Sequence, residues 1–271
     1  MDNKKLQLLQ IGNIIGVILT IIVNGLANIL PIGGKYTAEL SDNIPNLFVP
    51  AGITFAIWGI IYVLIILFAI FLAKDLFKKE KTTKPFLEKI SYFFILTCLV
   101  NIIWIFLWHY EQIILSLLAM LLLFISLLLI YLRLNIGLEK VTLKEKLFVH
   151  VPISVYLGWI TVATIANVTA VLVTIGWDGF GVSEELWTII VLIVATIITI
   201  LVITKRKDFA YSAVIIWALI GIYLKRITDD PNYGVQTQIA YTAIASIVVI
   251  LIIATLSAFI KYPKKEVRTN N

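Results

Sequence analysis

The sequence predicts an all-α, polytopic membrane helix bundle of about eight transmembrane helices. Composition comes first. Hydrophobic residues make up 61% of the chain, charged residues only 14%, and mean hydropathy is +1.00. A soluble domain carries about 25% charged residues, so this chain has too few to cover a water-facing surface. Second, eight uncharged stretches separate cleanly, most of them close to the roughly 20 residues that cross hydrocarbon as a helix. Third, the loops between them alternate in charge.

The spans fall at about 9–30, 51–73, 91–108, 112–132, 151–175, 186–204, 209–224 and 239–260. Lys4 and Lys5 before the first could imitate a signal peptide. Its apolar stretch outruns the roughly 7–15 residues of a signal core, and Gly25-Leu26-Ala27 is a poor cleavage site, so a retained first helix is expected. Pro50 stands just before the second span, and the third holds Cys98, Asn101 and Trp104. The fifth carries Trp159 and Asn167. The seventh, ending near Leu224, is the shortest; Lys225, Arg226, Asp229 and Asp230 are placed just outside it as a self-neutralising cluster.

All basic residues except Lys35, Lys225 and Arg226 fall at the ends of even-numbered spans or at the N-terminus. The remaining loops hold Glu39, Asp42, Asp178, Glu184 and Glu185. Positively charged loops stay cytoplasmic, so both termini are expected inside, in a cell membrane. Moving the count by one helix would destroy the alternation. The net charge of +6 then belongs to the inner face, with membrane lipids and not nucleic acid as its partner.

No Asp, Glu, Lys or Arg stands well inside a span, which weighs against ion-coupled transport and proton pumping. The sequence shows no paired carboxylates, no Ser/His/Asp arrangement and no phosphate loop, so no enzyme is expected. Cys98 has no cysteine partner, and His109 and His150 stand apart as boundary residues without metal-ligand spacing. Asn167-Val168-Thr169 reads as a glycosylation sequon at inaccessible membrane depth. Trp108, Trp177 and Trp187 fit an interfacial aromatic belt. Trp58, Trp104, Trp159 and Trp217 lie within spans, as do Asn24, Asn101 and Asn167, where packing and interhelical bonding are their ordinary roles.

Three segments together form a pattern. Asn46-Leu47-Phe48-Val49-Pro50-Ala51-Gly52-Ile53-Thr54-Phe55-Ala56-Ile57-Trp58, with Tyr62 one turn on, enters the second span. Val100-Asn101-Ile102-Ile103-Trp104 lies in the third, and the run from Pro152 through Tyr156, Trp159 and Ala163 to Asn167 lies in the fifth. In order and helix number they resemble the TspO/MBR family (tryptophan-rich sensory protein, translocator protein or peripheral benzodiazepine receptor). The likeness covers about residues 5–176. It departs at Pro50-Ala51, where the family doubles the proline, at Val162, and in the Pro152–Tyr156 spacing. Three helices also follow the family's five, which divides the chain into a five-helix domain, 1–176, and a three-helix extension, 177–271, to which no motif is assigned.

The resemblance implies a pocket for hydrophobic, often planar molecules, porphyrins or sterols, closed by the first loop (31–50). Phe55, Trp58, Tyr62, Asn101, Trp104, Trp159, Ala163 and Asn167 would line it. Spacing agrees, since Trp159, Ala163 and Asn167 share one helix face, as do Asn101 and Trp104, and Trp58 and Tyr62. The resemblance thus implies a receptor or sensor of such a ligand, with no required cofactor and a tetrapyrrole as candidate ligand. A translocator of the same molecules and an accessory subunit of an export system stand as alternatives, and a homodimer is an admissible assembly.

Overall fold

The computed structural model describes residues 3–30, 32–77, 84–228 and 230–260. Eight long helices run through them. α1 is Asn3–Ile29. A 3-10 segment, Gly52–Ala56, leads into α2, Ile57–Ala73. α3 is Phe93–His109 and α4 is Ile113–Arg133. One π turn, Lys146–His150, leads into α5, Val151–Thr174. α6 is Glu184–Arg206, α7 is Phe209–Ile227 and α8 is Thr237–Phe259. Seven, counting α2 with its 3-10 entry, are long and apolar enough to cross a membrane, and α3 is a shorter apolar helix of 17 residues.

Local chemistry sets the ends. The Ser183 hydroxyl caps α6 by accepting from the Leu186 amide at 3.3 Å, with Glu184 and Glu185 in the first turn and Lys205 and Arg206 in the last. Those charges complement the helix dipole. Lys207 closes α6 in the left-handed conformation, and Asp208 caps α7 through the Ala210 and Tyr211 amides, each 3.1 Å away. The expected ends hold within about three residues except at the start of α1, which begins at Asn3 rather than near Leu9, and at α2, whose first turns are the 3-10 segment. At α7 the end lies three residues later than expected. That helix runs 19 residues, because Lys225 and Arg226 remain helical. Lys225 reaches Asp42 in the first loop at 2.7 Å, while Arg226, fully buried, meets Asp230 at 3.3 Å and lies over the Tyr233 ring. The charged cluster is therefore partly inside the helix end. Asp229 lies outside the described residues.

Polarity is turned inward, as a hydrocarbon solvent demands. On α1, Ile15, Ile18 and Ile22 face outward, about half exposed, while Gln10, Asn13, Thr20 and Asn24 are buried. Gln10 donates to Leu72 O and Asp75 Oδ1, both at 2.8 Å, and Lys84 pairs with the same carboxylate.

α1 packs on α2 and α3, α3 on α4, α4 on α5, and α5 back on α2, closing a five-helix ring. α6, α7 and α8 pack together beside it, and α7 seats on α5. Small residues are among those buried in this trio: Thr196 and Thr199 on α6, Ala240, Ala243 and Ser246 on α8, residue types that let helices approach closely in a membrane. Two joints tie trio to ring. At the lysine-poor end Ala51 N donates to Gly221 O at 3.0 Å, and Trp217 Nε1 donates to Thr54 O at 2.9 Å. At the lysine-rich end Gly137, at φ +84°, sits so close to Arg206 that a Cβ would lie 1.7 Å from its carbonyl oxygen. Arg206 in turn donates to Ile136 O at 3.1 Å and covers the Tyr131 ring.

The first joint depends on the missing side chain of Gly221, whose Cβ would stand 1.9 Å from Thr54 Oγ1. That hydroxyl is buried without a hydrogen-bond partner. Gly221→Ala should lower stability by about 1–3 kcal/mol through overpacking. Thr54→Ala in the same chain should restore much of the loss, because it clears the clash and removes an unsatisfied group. Thermal unfolding of detergent-purified single and double variants checks this; additive losses would refute the contact.

Candidate ligand pocket

The helix register of α2, α3 and α5 brings the aromatic residues together under the first loop. Phe55 and Trp58 approach Trp159 edge-on, with ring centroids 5.8 and 6.3 Å away. Trp104 stacks on Trp108 at 5.9 Å. These five rings, with Ala163, Ala166, Asn167 and Ala170 along one face of α5, wall a cavity of about 50 Å³. The alanines keep that face low, and the stripe repeats at three and four residues, as one helix face must.

Of the eight residues expected at the site, Phe55, Trp58, Trp104, Trp159, Ala163 and Asn167 line it. Tyr62 and Asn101 do not. Each lies about one turn nearer the lysine-rich end than its lining neighbour, Trp58 or Trp104; Tyr62 stacks under Trp58 at 5.7 Å. Asn101 Oδ1 accepts from Asn24 Nδ2 at 2.7 Å, joining α3 to α1. Trp108 requires a correction. It is 6% exposed and forms pocket wall rather than interfacial belt. Its position four residues after Trp104 was the available signal.

The amides are largely consumed by the bundle. Asn167 Oδ1 accepts from Trp104 Nε1 at 3.0 Å, and its Nδ2 donates to Ser116 Oγ at 3.0 Å, so one side chain links α3, α5 and α4. Trp159 differs. Its indole nitrogen is buried and has no hydrogen-bond partner, which leaves the wall with a buried, unused donor.

The first loop closes the pocket, contributing Thr37, Ser41, Ile44, Asn46, Val49 and Pro50. It is held from several sides. His109 is not a loose boundary residue but the main clasp, 1% exposed. Its Nδ1 lies 3.0 Å from Ile32 O and so carries the proton, and its Nε2 accepts from the Thr37 hydroxyl at 2.9 Å. Gly33, at φ +66°, lets the chain pass, since a Cβ there would lie 2.5 Å from His109 O. Asn46 Oδ1 accepts from the Phe48 and Val49 amides, and the Thr169 hydroxyl lies 3.4 Å from it on α5. Lys35–Glu111 at 2.6 Å and Lys225–Asp42 at 2.7 Å pin the outside. Among the described residues no group of three or more His, Cys, Asp or Glu could hold a metal ion.

Comparison with protein families gives one match, to the family described as TSPO-like protein, over residues 10–256. The match runs through the last three helices as well as the first five. No curated protein and no solved structure matches the chain.

His109→Phe removes both bonds of the clasp while keeping ring volume. The Leu40 and Asn43 amides, which close the short helix Thr37–Asp42, should then exchange with deuterium about tenfold faster or more, one hydrogen bond being about 1.4 kcal/mol. Unchanged exchange would show that the loop is held elsewhere.

Proposed function

This chain belongs to the TSPO-like family, and on that premise we propose that it is a membrane receptor or sensor holding a hydrophobic, planar ligand under its first loop. The ligand class is porphyrin or sterol, as the family resemblance implies. Phe55, Trp58, Trp104, Trp159, Ala163 and Asn167 form its walls, with Tyr62 and Asn101 as the layer beneath. Both termini are cytoplasmic in this reading, residues 1–176 carry the ligand and 177–271 extend the bundle. Binding, not catalysis, is the activity.

The observation that carries the reading is the Trp159 indole N–H: buried, unpartnered and on the wall of a pocket framed by aromatic rings. A bilayer-soluble ring with an acceptor at its edge would use the donor and stack on the remaining faces. The closed volume of about 50 Å³ is far below the roughly 300–1,000 Å³ of pockets for small molecules. Entry of a whole tetrapyrrole or sterol therefore requires the first loop to lift from His109 and Asn46. A translocator is the second reading. It is favoured by a larger cavity behind α5 that shares Asn46 and Val162 with this pocket.

Titration of purified protein with a porphyrin should quench tryptophan fluorescence saturably. Trp159→Phe, which keeps an aromatic wall and removes the donor, should weaken binding about tenfold. Quenching that stays linear and equals that of free tryptophan in the same detergent would overturn the proposal. Flux of the same porphyrin across reconstituted vesicles, above that of empty ones, would select the translocator.

A further inference from the structure

A second cavity is much larger than the aromatic pocket. About 1020 Å³ lies between α5, α6 and α7. Its origin is in the joints already described. α7 seats on α5, and α6 is held to the ring through Arg206 at its lysine-rich end, but α5 and α6 are not a closely packed pair. A gap therefore stands between them over most of the length of α6.

The gap has a floor, walls and a mouth. Its floor is Tyr211, whose hydroxyl donates to Thr161 Oγ1 at 3.3 Å. Its walls are apolar in effect. The lining threonines Thr161, Thr164, Thr169 and Thr188 turn their hydroxyls back to carbonyls three or four residues earlier, at 2.7–2.8 Å, which satisfies their donors within the helix. From Glu184 to Ile198 it follows α6 for about 20 Å at 1.5 Å per residue. That compares with about 15 Å for the hydrocarbon of one leaflet. The mouth, at the lysine-poor end, is framed by Trp177 and Trp187, ring centroids 5.4 Å apart. Asp178 and Glu184 stand beside them, both exposed. One oxygen of Asp178 accepts from the Phe180 amide and one of Glu184 from the Tyr233 hydroxyl. No Lys or Arg lines the cavity.

We propose that this cavity binds one acyl chain of a phospholipid from the leaflet at the lysine-poor face, and prefers a headgroup that bears an ammonium. A straight apolar slot of this depth fits an alkyl chain. The two carboxylates at the rim attract a cation and repel a purely anionic headgroup. The paired tryptophans mark the level at which chain gives way to headgroup. The site shares only Asn46 and Val162 with the aromatic pocket and does not depend on its ligand.

Delipidated protein in detergent is titrated with dibromostearoyl phosphatidylethanolamine, whose bromines quench nearby tryptophans, and in parallel with the phosphatidylglycerol of the same chains. The expected result is saturable quenching at one lipid per chain, at least fivefold tighter for the ethanolamine form. Ala195→Phe, which fills the slot from the half-buried face of α6, should raise the half-saturation tenfold. Asp178→Asn with Glu184→Gln should remove the headgroup preference and leave chain binding. Non-saturating quenching, or quenching that Ala195→Phe leaves unchanged, overturns the site; equal affinity of the two lipids in wild type overturns the headgroup assignment. Should Ala195→Phe not fold, native mass spectrometry of the wild type decides. One retained lipid supports the site and none overturns it. Porphyrin quenching unaltered in Ala195→Phe would keep this outcome distinct from that of the aromatic pocket.

Discussion

The bond that most of this architecture depends on is the one Asn167 makes in two directions, to Trp104 on α3 and to Ser116 on α4. In hydrocarbon an amide without partners costs several kcal/mol, so it must find them within the protein. Meeting both fixes how three helices are rotated about their axes. Once α5 is turned to present Asn167, it also presents Trp159 and Ala163, and once α3 presents Trp104 it presents Trp108 one turn on. The pocket is thus a by-product of satisfying one side chain. The same bond removes Asn167 from the donors a ligand could use, while the buried Trp159 N–H stays unpaired.

Α second consequence follows for how the bundle distributes space. The first loop sits over the ring, tied to α3, α5 and α7. The trio is joined to that ring through contacts of the Gly221 and Gly137 backbones and along α7, so α6 is left at a distance from α5. One small and one large volume result, divided by Val162 and Asn46. A helix face made only of aliphatic side chains can border either protein or lipid at little difference in free energy, because lipid tails are as apolar as leucine. Nothing in the hydrophobic effect closes the wider gap.

How much of this the sequence revealed follows the same physics. Burying a charge in hydrocarbon is costly enough that the uncharged runs and the lysine positions located eight helices within a few residues. The start of α1 lies six residues earlier than expected, because Lys4 and Lys5 stay helical. α7 runs on past Leu224 because Arg226 reads as a boundary charge, whereas the structure buries it against Asp230 and Tyr233. Six of the eight expected pocket residues line the cavity, since helix periodicity alone groups Trp159 with Ala163 and Asn167. Tyr62 and Asn101 share those faces but fall a turn too deep, and depth depends on tilt and offset that spacing does not encode. Trp108 was assigned to the interface by its position near a helix end. His109 gave no sequence signal, because its partners, a carbonyl and a threonine in the loop, belong to no motif. The wide cavity was illegible for a stronger reason: it is made by the absence of a contact.

The joint at Gly221 also bears on the order in which the protein is made. Ala51 sits at the entrance to α2, and its N–H is satisfied by a carbonyl on α7. During synthesis at roughly 5–20 residues per second, α2 is complete long before α7 emerges. For roughly ten to thirty seconds at that rate, that amide and the buried Thr54 must be sheltered by lipid, water or the insertion machinery. The five-helix ring can therefore close early, yet it carries an unfinished edge until the seventh helix arrives to cover it.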